Sequence, residues 1–244
     1  MSETSIIREA VETFEGDGVI VRRLFPVAGQ RNHDPFVLWD HFNIEAGTGF
    51  PTHPHRGFEA ITYLFSGSME HADNLGNQST IGPGGAQRFT AGRGIVHSEM
   101  PGTGGTTQGI QLWINLPKRL KQIEPAYQEI QAAEIPVTQW DGGSLHTIVG
   151  KQGPVQLQTP VDYFELNLNP GGHFAWTPEL GHQGLIYVVS GDATINQQLL
   201  ETGFAMLINQ PEPIAFDSAS GAKIMVCFGG PHQEPIFQHG PFVD

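Results

Sequence analysis

Short apolar runs, each ended by glycine, proline, asparagine or aspartate, set the hydrophobic pattern of this chain. Residues 6–25 read as strand, turn, strand, with Glu15-Gly-Asp-Gly18 as the turn. Asp34-Pro35 introduces a short apolar strand, Phe36-Val-Leu-Trp-Asp-His-Phe42, and Phe58 to Phe65 follows the same pattern. Ser66-Gly-Ser68 predicts a hairpin, and Asp73-Asn-Leu-Gly-Asn77, Pro83-Gly-Gly85 and Ala91-Gly-Arg-Gly94 predict further turns. Thr107 to Leu116 reads as another strand, ending at Pro117. The pattern then changes. Lys118, Arg119 and Lys121 cluster among Gln, Glu and Ala, which predicts a short helix from Pro117 to about Gln122. The basic cluster reads as a solvated face, and residues 126–136 as a connector.

The second half repeats the first. Ile61-Thr-Tyr-Leu-Phe-Ser-Gly67 matches Leu185-Ile-Tyr-Val-Val-Ser-Gly191, and Gly109-Ile-Gln-Leu-Trp-Ile-Asn-Leu-Pro117 matches Lys223-Ile-Met-Val-Cys-Phe-Gly-Gly-Pro231. The repeat predicts two domains of similar architecture, residues 1–125 and 137–244. With 31 glycines, 18 prolines and 15% charged residues in 244, the composition fits an all-β protein with few short helices. A formal net charge of −13 argues against direct nucleic-acid binding, which needs a basic footprint. Cys227 is the only cysteine, so no internal disulfide forms. The first residues lack a basic segment followed by an apolar one, and no apolar stretch is long enough to span a bilayer. A cytoplasmic protein with no membrane contact is the expectation.

The chemistry concentrates in two stretches. His53 and His55 lie two apart in Gly49-Phe-Pro-Thr-His-Pro-His55, and His97 and Glu99 lie two apart in Arg93-Gly-Ile-Val-His-Ser-Glu99. In extended chain, residues at i and i+2 share a face, so two such strands can aim four ligand-type groups at one interior. A lone strand histidine is ordinarily a packed or surface residue. Two paired sets instead suit a divalent metal such as iron, nickel, copper or zinc. Pro54 donates no ladder hydrogen bond, which places its strand at a start, an edge or a bulge. Asp40 and His41, near this segment in sequence, have two readings: partners that hydrogen-bond a metal ligand from behind, or, as expected here, exposed or locally bonded polar residues. Carried through the repeat offset, His53 falls on Thr177, His55 on Glu179 and Glu59 on Gln183, and the window 211–221 for His97 holds no histidine. The second copy is therefore expected to keep the scaffold without the metal. Its tail, Gln233 to Asp244, carries Pro235, Phe237, Pro241 and Phe242, and is expected to be ordered and partly buried.

A His-x-His stretch and a later histidine on two fused β barrels resemble the cupins, with Gly92 and Pro101 departing from the second cupin motif. The resemblance is closer to the pirin family. It rests on Asp34-Pro-Phe-Val-Leu-Trp-Asp-His-Phe42, His53-Pro-His-Arg-Gly-Phe-Glu59, Thr90-Ala-Gly-Arg-Gly-Ile-Val-His-Ser-Glu-Met-Pro101 and Glu234-Pro-Ile-Phe-Gln-His-Gly-Pro-Phe-Val243. It implies two tandem jelly-roll cupin domains and one metal ion, usually Fe2+ with Ni, Cu, Mn or Zn as substitutes, held by His53, His55, His97 and Glu99. Glu59, the general cupin glutamate, is not a ligand in pirins. The resemblance further implies a quercetin 2,3-dioxygenase type of activity, in which Glu99 is the base and a flavonol-like substrate is opened at its 2,3 bond by dioxygen with loss of carbon monoxide. A different class of function is a metal- or redox-sensing binding protein that regulates a protein partner, acting as a transcription co-regulator or as a regulator of a metabolic enzyme. The blandest reading is a cupin with a structural metal. The chain is expected to act as a monomer.

Overall fold

A computed structural model describes residues 5–103, 105–210 and 212–244. Met1–Thr4, part of the stretch on which the absence of a leader was read, lie outside the described residues. The predicted all-β architecture is present, with two short 3-10 turns, Lys118–Leu120 and Ala132–Glu134. Among the described residues, no helix is long and apolar enough to cross a membrane.

The first strand, β1 (Ser5–Glu9), is followed after Ala10 by β2 (Val11–Glu15) and β3 (Val19–Phe25). Next come β4 (Phe36–Ile44), β5 (Phe50–His55), β6 (Phe58–Ser66), β7 (Met69–Asp73) and β8 (Gln78–Ile81). β9 (Ala86–Thr90), β10 (Ile95–Pro101), β11 (Thr107–Asn115) and β12 (Ala126–Ile130) complete the half. Two sheets form here, ordered β12-β9-β6-β11-β4-β3-β2 and β5-β10-β7-β8. Strand β6 is buried from Phe58 through Leu64, as a central strand with both faces covered should be. The sequence expectation for Pro54 is met by β5, which is an edge strand.

The second half contains β13 (Val137–Trp140), β14 (Gly143–Val149), β15 (Val161–Leu168), β16 (Gly172–Trp176) and β17 (Gln183–Ile195). It continues with β18 (Gln198–Glu201), β19 (Phe204–Ile208), β20 (Ile214–Ser218) and β21 (Ala222–Gly229). Its path runs β1-β19-β17-β21-β15-β14-β13, with β16 paired to β20. The core joins Phe164, Ile186, Val188, Phe216 and Phe228, with Phe174 and Trp176 packed against it.

The packing units differ from the contiguous halves 1–125 and 137–244. One unit comprises the chain up to Ala10 with Ile135–Pro231, and the other Val11–Glu134 with His232–Asp244. The ladder explains the first exchange. β1 pairs along its whole length with β19, Ser5 opposite Ile208 and Glu9 opposite Phe204, while β2 pairs with β3. The strand expected as one element breaks at Ala10 because its two parts serve different sheets. The expected connector 126–136 is also corrected, since Ala126–Ile130 is a strand paired in register with β9. Lys121 does not belong to a solvated face. Its Nζ donates to the carbonyls of Gly57 and Val243 and to Asn115 Oδ1, at 2.9, 2.8 and 2.6 Å. Segment 232–244 ends in a short hairpin of β22 (Gln238–His239) and β23 (Phe242–Val243). The segment is ordered as expected, but its buried residue is Val243, and Phe237 remains 59% exposed.

Candidate metal centre

Strands β5 and β10 are neighbours in one ladder. His97 pairs directly with His53, Ile95 with His55 and Glu99 with Phe50, with a register shift between His97 and Glu99. This pairing sets three imidazoles side by side. His53 Nε2 lies 2.8 Å from His55 Nε2 and 3.2 Å from His97 Nε2. Among the described residues, these three form a group able to hold one metal ion, and Glu99 is not a member of it.

The hydrogen bonds on the far side of the rings fix what the close nitrogens are. His53 Nδ1 meets the Pro51 carbonyl at 2.7 Å, and His55 Nδ1 meets the Pro241 carbonyl at 3.1 Å. A carbonyl only accepts, so in the neutral rings both Nδ1 atoms carry the hydrogen and both Nε2 atoms present lone pairs. Two lone pairs facing each other at 2.8 Å are repulsive unless a cation sits against them. Ligand nitrogens ~2.1 Å from one octahedral ion stand ~3 Å apart, which matches the observed spacing. The donor set fits a borderline divalent metal. His97 Nδ1 is buried with no hydrogen-bond partner.

The surroundings keep the rings in place and neutral. Phe89 stacks on His55 at 5.5 Å and meets His97 edge-on at 4.5 Å, and Trp113 abuts His55 at 4.9 Å. Burial pushes His55 down to about 3 and His97 to about 2, with neighbouring imidazoles adding to the effect.

Glu99 stands on the same strand, buried, with both oxygens accepting hydrogen bonds. Oε1 accepts from Thr62 Oγ1 at 2.7 Å and Gln87 Nε2 at 2.5 Å, and Oε2 accepts from Gln111 Nε2 at 2.9 Å. Tyr127, on β12, donates its hydroxyl to Gln87 Oε1 at 3.0 Å. That bond turns the Gln87 amide so that its nitrogen faces Glu99. Tyr127 in turn stacks on buried His71 at 4.0 Å, whose Nε2 bonds Asp73 at 3.0 Å. Glu59 is buried and accepts from Thr90 at 2.7 Å, outside the three-histidine group.

A cavity of about 560 Å³ opens beside the histidines. His53, His55 and Glu99 line it, with Phe42, Phe50 and Trp113 as its aromatic wall. Asp40 also lines it, and the expectation that this residue is exposed or locally bonded is overturned. Asp40 is buried and receives a two-pronged hydrogen bond from Arg23, at 2.8 and 2.6 Å. Burial raises the Asp40 carboxyl to about 6, and the guanidinium pulls the other way. Arg23, Thr62, Gln87, Gln111 and Tyr127 were not found from sequence. Each is a polar residue in a strand pattern, and nothing local marks it as facing the site.

The N-terminal part of the chain, residues 18–114, matches the Pirin family model, and residues 163–244 match the Pirin C-terminal cupin domain. The chain belongs to the pirin family. A tomato (Solanum lycopersicum) pirin-like protein is 40% identical over 239 residues, covering 94% of this chain and 82% of that protein. Human pirin is 37% identical over 243 residues, covering 95% and 84%. The crystal structure of a quercetin 2,3-dioxygenase from Acinetobacter baumannii superposes with a TM-score of 0.90 at 29% identity, over 97% of this chain and 90% of that one. The bicupin fold expected from the repeat is thereby shown, and the pirin resemblance is family membership.

Proposed function

We propose that this pirin is a metal-dependent dioxygenase of the quercetinase type, with Fe2+ held by His53, His55, His97 and Glu99. The observation that carries the reading is the trio of Nε2 atoms at 2.8 and 3.2 Å, with two lone pairs fixed by carbonyl partners, beside an aromatic-walled cavity. When bound, the metal supplies open positions at which a substrate oxygen and dioxygen can meet. The chain's own residues do the rest. Phe42, Phe50 and Trp113 offer flat apolar surface to a planar aromatic substrate. Glu99 takes the proton of the substrate hydroxyl, and Thr62, Gln87 and Gln111 aim its oxygens. The overall change breaks the 2,3 and 3,4 bonds of the flavonol. Both atoms of dioxygen enter the ring-opened ester, and carbon 3 leaves with its own oxygen as carbon monoxide. The Acinetobacter protein of similar fold is named for this activity, which supports the assignment.

Oxygen uptake by iron-loaded protein with quercetin tests the reading. Uptake matched mole for mole by carbon monoxide is expected. No uptake above that of free Fe2+ overturns it.

A further inference from the structure

Segment 232–244 reaches the metal centre from far along the chain. The carbonyl that accepts from His55 Nδ1 belongs to Pro241, 186 residues away. Gln238, Gly240 and Pro241 also form part of the cavity wall. The segment is fastened on both sides of that contact. The Arg56 guanidinium donates to Asp244 at 2.9 and 2.8 Å and lies over the Phe242 ring at 4.4 Å. Val243 N donates to the Arg56 carbonyl at 3.1 Å. Lys121 holds the Val243 carbonyl together with Gly57 and Asn115. Gly57, next to Arg56, leaves room for this approach: a Cβ there would stand 1.8 Å from the Val243 oxygen, at a φ of +85°. At the upstream end, Asp34 accepts from the amides of His232 and Gln233 at 3.1 and 2.8 Å, and Glu234 from the amide of Lys118 at 2.6 Å.

We propose that this segment is a positioning element of the metal centre: Lys121 and the Arg56–Asp244 pair hold it so that the Pro241 carbonyl keeps His55 in the tautomer whose Nε2 lone pair faces His53 and His97. The physical reason is that an imidazole has one hydrogen for two nitrogens. A fixed acceptor at Nδ1 decides which nitrogen is free to bind a cation, and it also sets the plane of the ring. Solvent at the same place would accept as well but would fix neither. The proposal rests on reading His55 as a metal ligand.

Long-range 1H–15N NMR of the metal-free protein tests it directly. The expected wild-type spectrum shows a single His55 tautomer with the hydrogen on Nδ1. The double variant Lys121→Met, Asp244→Asn should show mixed tautomers. Its affinity for Fe2+, measured by competition with a chelator, should fall by roughly 10- to 100-fold, the usual scale for a lost orienting partner. Asp244→Glu keeps a carboxylate for Arg56 and should retain the wild-type tautomer. The Asp244 side chain is half exposed, so Asp244→Asn alone carries the test if Lys121→Met does not fold. A wild-type His55 protonated on Nε2 overturns the proposal, as does a clamp variant with wild-type tautomer and affinity. The tautomer is read without metal or turnover. Failure of quercetin turnover with these results intact therefore refutes the dioxygenase reading alone, and a wild type that binds no Fe2+ refutes the ligand role of His55.

Discussion

The two barrels use corresponding strand pairs in opposite ways. In the first, β5 and β10 pair and bring together His53, His55 and His97. In the second, β16 and β20 pair with the same antiparallel sense and carry Phe174, Trp176, Ile214 and Phe216. Phe216 and Ile214 are buried, and Phe174 lies 5.9 Å from Phe216. The difference teaches where stability and chemistry reside. Each buried large apolar side chain contributes up to ~3 kcal/mol. Buried imidazoles with lone pairs facing one another contribute no comparable stabilisation and are repulsive without a cation. One barrel keeps a costly polar interior because that interior can hold an ion, and the other fills the equivalent place with aromatic packing.

The largest expected effect removes the contrast altogether. The double variant His53→Ala, His97→Ala should hold less than about a tenth of the one metal per chain expected in the wild type, since two of the ligands are gone. Elemental analysis reads this, and full metal retention would sink the ligand assignment. Next comes the aromatic side of the comparison. Phe216→Ala should destabilise the protein by about 3–5 kcal/mol, the scale for a buried phenylalanine, while metal content per folded chain stays unchanged. Urea unfolding with parallel metal analysis decides it, and a stability within ~1 kcal/mol of wild type would show that the second interior is not packed as described.

A smaller effect is expected at Glu99. Glu99→Gln keeps the size and removes the base, so turnover of quercetin should drop ~100-fold or more with some metal retained. Wild-type turnover would exclude Glu99 as the base. A further effect is expected in acid. His55 and His97 are held to about 3 and about 2, first of all by burial. In the unfolded chain both take a proton near ~6.5, so the unfolded state gains protons first as pH falls. Stability from this source is whole above about pH 6.5 and is lost progressively toward about pH 3. The melting temperature of metal-free protein should decline between about pH 6.5 and pH 4, and less steeply in the His53→Ala, His97→Ala variant. Equal slopes would show that these imidazoles do not carry the acid sensitivity.

Much of this was legible in the sequence because it is periodic and local. The i, i+2 spacing named His53 and His55, and the later stretch named His97, because a strand gives residues two apart the same face; Glu99, offered as the fourth, stands beyond a register shift and outside the three-histidine group. Repeated strand landmarks announced two barrels of one architecture. Asp40 was misread because nothing in Trp39-Asp-His41 shows that Arg23 lies across the ladder from it. The strand at Ala126–Ile130 was missed for a related reason: its few apolar residues pair with an already formed sheet and carry little pattern of their own.

The sequence by itself determined which ligand-type side chains alternate along the strands, because side-chain chemistry and alternation are local properties. The tertiary structure decided which lone pairs face one another, that Glu99 is anchored by Thr62, Gln87 and Gln111, and that Pro241 meets His55. It also placed β1 on β19 and the segment 232–244 on the strands of the first barrel. These are contacts between residues far apart in the chain. Their partners are set by how sheets close and which edges remain to be covered, and a one-dimensional pattern holds no record of that.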